Sequence, residues 1–236
     1  MTKPTFTPTY QPFKPTIVAG YISMLLGVLF CITYFDRPLA EYIHHVMHVK
    51  IASFAYSSQT HAVLESLSKS PLVLETLAFI IVVLSLTKPY QLRLYHLRNI
   101  ILLVAINATI IRVSAKIVFG RTWPETWTNN NLSWISHGVE AFYPFSLSAG
   151  FHSFPSGHTL LTFTFASLFW QCFPRFKLIW IFAMLAVVLG QLLHNYHYLG
   201  DILAGATLGL LVSQLSINYY CHNKNFRHKK GPFNRS

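Results

Sequence analysis

The chain has 236 residues, of which 53% are hydrophobic, 15% aromatic and only 11% charged, with a formal net charge of +11. A soluble domain covers its surface with about 25% charged residues, so this composition excludes a soluble globular fold, and its apolar and aromatic content excludes a disordered chain. In a chain that needs an apolar solvent, the positive charge belongs at a membrane surface rather than on nucleic acid.

The stretch Met1 to Thr16 is polar and holds four prolines, and no small-residue cleavage site follows the first apolar run. No cleaved signal peptide is expected, and residues 1–16 read as a cytoplasmic tail. Six apolar stretches then approach the roughly 17 to 25 residues a spanning helix needs: Ile17 to Phe35, Pro71 to Thr87, Asn99 to Val118, Gly157 to Phe173, Leu178 to Leu193 and Ile202 to Tyr219. The expected fold is all-α, a six-transmembrane-helix bundle forming one integral-membrane domain over 1–236. An interfacial or periplasmic helical loop region and a basic cytoplasmic tail over 220–236 complete it.

Between the first two spans, Arg37 to Ser70 is polar, and Pro38 is expected to open an amphipathic helix that runs through Lys50 in the outer interface. Spans four and five are joined by the tight turn Pro174-Arg175-Phe176-Lys177. Gly205 and Gly209 make a GxxxG step on the sixth helix, which reads as close helix packing. The cysteines Cys31, Cys172 and Cys221 are odd in number and far apart, offering neither a disulfide framework nor a CxxC metal site.

Six crossings leave both termini on one side. That side collects twelve of the 18 Lys and Arg residues, among them Lys88, Arg93, Arg98, Arg175, Lys177 and the tail, while all seven acids fall on the opposite side or at its edge. Excess Lys and Arg marks the cytoplasmic face, so the loops after helices one, three and five are expected to face outward.

Unusual polar residues gather at that outward face. In Pro155-Ser156-Gly157-His158, a proline, an N-cap serine and a glycine leave backbone N–H groups at the positive end of a helix, which suits an anion. The plainer reading is an ordinary capped helix entrance. His197 and Asp201 stand four apart across a helix entrance, where a carboxylate fixes the imidazole tautomer and frees the other nitrogen as nucleophile or base. A merely structural His–Asp hydrogen bond is the alternative. Lys116 and Arg121 end the third helix as two cations able to clamp a polyanion, whereas Arg112 reads as snorkelling to lipid headgroups.

Taken together these residues resemble the type 2 phosphatidic acid phosphatase (PAP2) superfamily, whose pattern is K-x6-R-P, then P-S-G-H, then S-R-x5-H-x3-D. Lys116 and Pro124 match the first motif, Pro155 to His158 the second in full, and His197 and Asp201 the third, within a core of about 71–219. The chain departs twice: Trp123 stands where the pattern has the arginine of R-P, and Gly190-Gln191 where it has S-R.

The resemblance implies that His197 attacks phosphorus to give a phosphohistidine, that Asp201 orients it, and that His158 protonates the leaving oxygen. Lys116, Arg121, Ser156, Gly157 and Gln191 would hold phosphate oxygens, with Arg121 a substitute for a lost arginine. No metal or cofactor is implied. The expected partner is a lipid phosphate in the membrane (phosphatidic acid, phosphatidylglycerol phosphate, a polyprenyl diphosphate or lipid A). The expected location is a bacterial inner membrane with a periplasmic active site.

Other readings remain beside this one. Transfer of phosphate to an acceptor lipid shares the chemistry up to phosphohistidine, and a non-catalytic lipid-binding protein would fit the lost arginines. His194 and His197 have helical spacing for a metal pair, with His152 and His137 nearby, but lack a third ligand. His44, His45 and His48 form a single histidine box where a di-metal oxidase needs several, and interfacial histidines on an amphipathic helix account for them more simply. The outer loop from Thr122 to Phe154 is where selection among lipids is expected.

Overall fold

The structure is a computed structural model that describes residues 10–50, 58–127 and 130–229; most of the expected N-terminal tail and the end of the basic tail lie outside these residues. Among the described residues the fold is all-α, with extended pairing confined to two isolated bridges, Arg121 with Phe142 and Trp123 with Ser133.

Helix α1 (Pro15–Phe30) starts on a proline, whose missing N–H costs nothing in a first turn. It does not stop where the apolar run ends. A π-helical turn (Cys31–Phe35) carries it into α2 (Asp36–His44) and a second π-helical turn (His45–Lys50). The separate interfacial helix expected from Pro38 is thus a continuation of the first span, one helix over Pro15–Met47. Proline normally conflicts with the carbonyl four residues back, and the wider turn just before Pro38 accommodates it.

Helix α3 (Ser58–Ser68) meets α4 (Ser70–Leu84) at a 45° bend. The long α5 (Gln91–Phe119) ends at Gly120, which adopts the left-handed φ of 59°. A Cβ there would lie 1.9 Å from the Tyr143 carbonyl oxygen, so only glycine allows the return strand of the outer loop to close on the helix end. The loop holds the short α6 (Trp134–His137) and a 3₁₀ turn (Ala149–Phe151). Then come α7 (Gly157–Cys172), a 3₁₀ turn (Pro174–Phe176), α8 (Lys177–Leu193) and α9 (Leu199–Lys229).

Among the described residues, four helices are long and apolar enough to cross a membrane, and a fifth if the bent α3–α4 pair counts as one span, which makes this a multi-pass membrane protein. Length and composition alone do not add α7 as the sixth expected crossing, since it has 16 residues. At 1.5 Å per residue it covers about 24 Å, short of the roughly 30 Å hydrocarbon core.

Helix α7 is instead the centre of the bundle. Leu160, Leu168 and Phe169 are fully buried, packed in one core with Ile100, Val104 and Ala108 of α5 and Ile217 of α9. The GxxxG step does what its sequence suggests: a Cβ on Gly205 would lie 2.5 Å from the Ser156 carbonyl oxygen, and one on Gly209 2.5 Å from that of Leu160. Close approach of α9 to α7 therefore depends on both glycines. At the periphery, Leu25, Leu26 and Leu29 of α1 and Leu178 and Phe182 of α8 remain exposed, as side chains facing lipid tails should be. The ends of α5 and α8 and the starts of α7 and α9 converge at one end of the bundle, under the outer loop.

Candidate active site

Asp201 occupies the first turn of α9 and is fully buried. One oxygen, Oδ2, accepts hydrogen bonds from the Ser153 hydroxyl at 2.6 Å and the Tyr198 backbone N–H at 3.2 Å, and lies 3.4 Å from His197 Nδ1. Ser153 Oγ is also 3.4 Å from that nitrogen. With Nδ1 turned toward the carboxylate, the opposite ring nitrogen is the one left for chemistry. The ring packs beside Trp123 with centroids 5.0 Å apart. Burial pushes the imidazole below its ordinary 6.5, against the upward pull of Asp201.

The other oxygen of Asp201 accepts from Arg121 Nη1 at 2.6 Å. Arg121 is wholly buried and holds two further carboxylates, Asp36 Oδ2 at 2.8 Å and Glu140 Oε1 at 2.7 Å from Nη2. Burial opposes its charge, but Asp201, Asp36 and Glu140 outweigh it and hold the guanidinium firmly protonated. Its Cζ also lies 4.1 Å from the Tyr198 ring centroid. Asp36 accepts at Oδ1 from the Gly200 N–H at 2.8 Å. One arginine thus ties α2, the outer loop and the start of α9 together around the base of His197.

Beside this cluster lies a cavity of about 580 Å³, a volume typical of ligand sites. His197, His158, Gly157, Lys116 and Gln191 all line it, with Arg112, Trp123, Trp127 and Tyr196, while Glu65, Lys69 and Glu75 contribute charge to its walls. His158 is exposed to it. Lys116 Nζ donates to the His152 carbonyl and lies 5.5 Å from the Trp123 ring centroid. Gln191 is 1% exposed, and among the described residues both its side-chain amide atoms lack a hydrogen-bond partner.

The structure brings together most of the residues singled out in the sequence; Arg121 and Ser156 stand outside the cavity, and Arg112 joins it against expectation. Arg121 does not line the cavity: its guanidinium is committed to three carboxylates, so it braces Asp201 rather than replacing a phosphate-binding arginine. Ser156 is buried, stands outside the cavity lining and caps α7, its Oγ accepting from the Thr159 N–H at 3.4 Å and hydroxyl at 3.0 Å. Arg112, expected to snorkel, lines the cavity one turn before Lys116. Its stem is packed on α7, since a Cβ on Gly157 would lie 3.1 Å from Arg112 Cδ.

Sequence reasoning passed over Ser153, Asp36 and Glu140. Nothing in the spacing marks them, because they reach Asp201 and Arg121 from 48, 85 and 19 positions away respectively. His44 Nδ1 lies 2.7 Å from Glu125 Oε1, which also accepts from Asn195 Nδ2 at 3.0 Å. Gly190, where the pattern has serine, is explained by packing, as a Cβ there would lie 2.5 Å from the Ser68 backbone nitrogen.

A family model described as the PAP2 superfamily matches residues 98–227, more than half of the chain. The Lipid A 1-phosphatase of Rhizobium etli is 33% identical over 84 residues, 36% of this chain and 36% of that protein. The Lipid A 1-phosphatase of Rhizobium johnstonii is 32% identical over 80 residues, 34% of this chain and 33% of that protein. The match spans only about a third of the length of either relative. No solved structure matches the chain.

Proposed function

The chain belongs to the PAP2 superfamily, and on that premise we propose that it is a lipid phosphatase of a bacterial inner membrane, acting on a lipid A type phosphate through a phosphohistidine at its outward face. The observation that carries this reading is the meeting of His197, its Nδ1 turned to Asp201, with His158 and Lys116 on one cavity. The names of the two relatives support the lipid A class of substrate.

In this reading the free nitrogen of His197 attacks phosphorus, a P–N bond forms, and the P–O bond to the lipid breaks in line. A sugar or lipid alkoxide is a poor leaving group, so His158 delivers a proton to it, a contribution worth about 10² to 10⁴ in rate. Asp201, fixed by Arg121 and Ser153, holds the His197 tautomer and offsets the charge the ring acquires. Lys116, Gly157 at the entrance of α7 and Gln191 hold phosphoryl oxygens as charge redistributes. Water then cleaves the P–N bond, returning His197 and releasing phosphate.

Phosphate release by purified full-length protein tests it, using lipid A, phosphatidic acid, phosphatidylglycerol phosphate and undecaprenyl diphosphate in detergent. Wild type is expected to release phosphate from lipid A and His197→Asn from none of the four. Turnover by His197→Asn overturns the mechanism, and preference for another lipid overturns the substrate.

A further inference from the structure

The superfamily pattern places two arginines that this chain lacks, replaced by Trp123 and Gln191. A phosphatase cavity without them needs positive charge from elsewhere, and Arg121 is not its source, being buried in its own carboxylate cluster.

Arg112 stands four residues before Lys116 on α5, the spacing that puts two side chains on one helix face. Both stems lie against the first residue of α7: a Cβ on Gly157 would be 3.1 Å from Arg112 Cδ and 3.3 Å from Lys116 Cε. Both line the cavity that His158 and His197 share. Among the described residues Arg112 makes no hydrogen bond or ion pair, although Glu75 stands on the same wall. A snorkelling arginine would lie along lipid, whereas this one is packed on the entrance of α7.

A second, independent feature points into the same space. Gln191 is more than nine-tenths buried, lines the cavity, and has both amide atoms without a partner among the described residues. Buried polar groups are nearly always satisfied, so an orphan of this kind calls for a ligand. Its amide N–H donates to an oxygen and its carbonyl accepts a proton, both of which a partly protonated phosphate offers.

We propose that Arg112 is the phosphate-binding arginine of this site, supplying from α5 a guanidinium where positions 123 and 191 hold Trp and Gln, with Gln191 completing the donor set. The ligand class is a phosphate monoester or its pentavalent analogue. The rigid fork of Arg112 takes two oxygens while Lys116 acts as a point charge. This rests on the lipid phosphatase reading for its biological ligand, but the anion site can be tested without turnover.

The experiment is calorimetric titration of orthovanadate and inorganic phosphate into detergent-purified full-length protein. The proteins are wild type, Arg112→Gln, Arg112→Lys and, as a control at the α7–α8 turn, Arg175→Gln. Arg112→Gln is expected to bind vanadate about ten- to a hundredfold more weakly than wild type. Arg112→Lys should recover part of the loss, and Arg175→Gln should match wild type. Binding by folded Arg112→Gln within twofold of wild type overturns the proposal. If Arg112→Gln does not fold, Arg112→Lys gives the reading: a severalfold loss supports the fork, and unchanged affinity overturns it. Wild type that binds vanadate yet releases phosphate from no lipid leaves the anion site standing and removes the lipid reading. Wild type that binds neither anion overturns both.

Discussion

Arg121 Nη1 lies 2.6 Å from Asp201 Oδ1 with both side chains fully buried, while the other oxygen of the same carboxylate lies 3.4 Å from His197 Nδ1. A structural ion pair and the proposed nucleophile therefore share one carboxylate. In the proposed reaction the arginine acts through the aspartate, since it does not line the cavity.

Removing that arginine should be costly. Arg121→Met would leave Asp36, Glu140 and Asp201 facing one another in a buried space with their shared counter-charge gone. Breaking a buried pair by deleting one partner costs about 3 to 5 kcal/mol, so this variant should unfold at markedly lower denaturant in detergent. Stability equal to wild type would mean that the cluster holds nothing together.

Ser153 separates orientation from stability. Its hydroxyl donates to Asp201 Oδ2 at 2.6 Å and stands beside His197. Ser153→Ala leaves Asp201 paired with Arg121, so the fold should survive. A lost hydrogen bond to a charged group is worth about 1.5 to 3 kcal/mol, and steady-state kinetics should show kcat down by at least about tenfold with KM little changed. A rise in KM alone would place Ser153 in substrate binding.

The pH profile follows from the burial of His197. Its imidazole titrates below 6.5 because burial disfavours the cation, and a nucleophilic role needs the neutral ring. The neutral fraction of His197 therefore falls as pH drops through the lowered pKa, placing the acid limb of kcat/KM below 6.5. Asp201 raises that pKa through its hydrogen bond and charge, so Asp201→Asn should move the limb further to the acid side while lowering the rate. A limb moving toward neutrality would contradict the assignment.

The α7–α9 contact predicts a contrast between glycines. Gly209→Ala would drive a methyl group to 2.5 Å from the Leu160 carbonyl oxygen, whereas a Cβ on Gly20 meets nothing within 4 Å. Overpacking of this kind costs about 1 to 3 kcal/mol. Thermal unfolding should show Gly209→Ala destabilised and Gly20→Ala unchanged or slightly improved, since alanine is the better helix former.

Much of this was legible in the sequence where chemistry and spacing are local. His197 and Asp201 lie within one turn, Pro155 to His158 are contiguous, and Gly205 and Gly209 make a step any helix would display on one face. What sequence could not show depends on distance along the chain. Asp36 reaches Arg121 from another helix, and without it Arg121 reads as a free cation at a helix end. Arg112 carries the same signal as a snorkelling residue, and only the packing of its stem on Gly157 reveals where it lies. The first helix runs longer than its apolar stretch because the π-helical turn at Cys31–Phe35 carries the chain past Pro38, which hydropathy alone reads as a break. That α7 is the buried centre of the bundle cannot be read from hydropathy, because a buried apolar helix and a lipid-facing one share the same composition.

The central claim, covalent catalysis by His197, is tested most directly by trapping the phosphoprotein. Purified wild type mixed with radiolabelled lipid A phosphate and quenched in alkali should carry acid-labile, base-stable label, and His197→Asn, at equal folded concentration, should carry none. Equal labelling of His197→Asn would contradict the account, as would steady phosphate release by wild type with no labelled protein at any quench time.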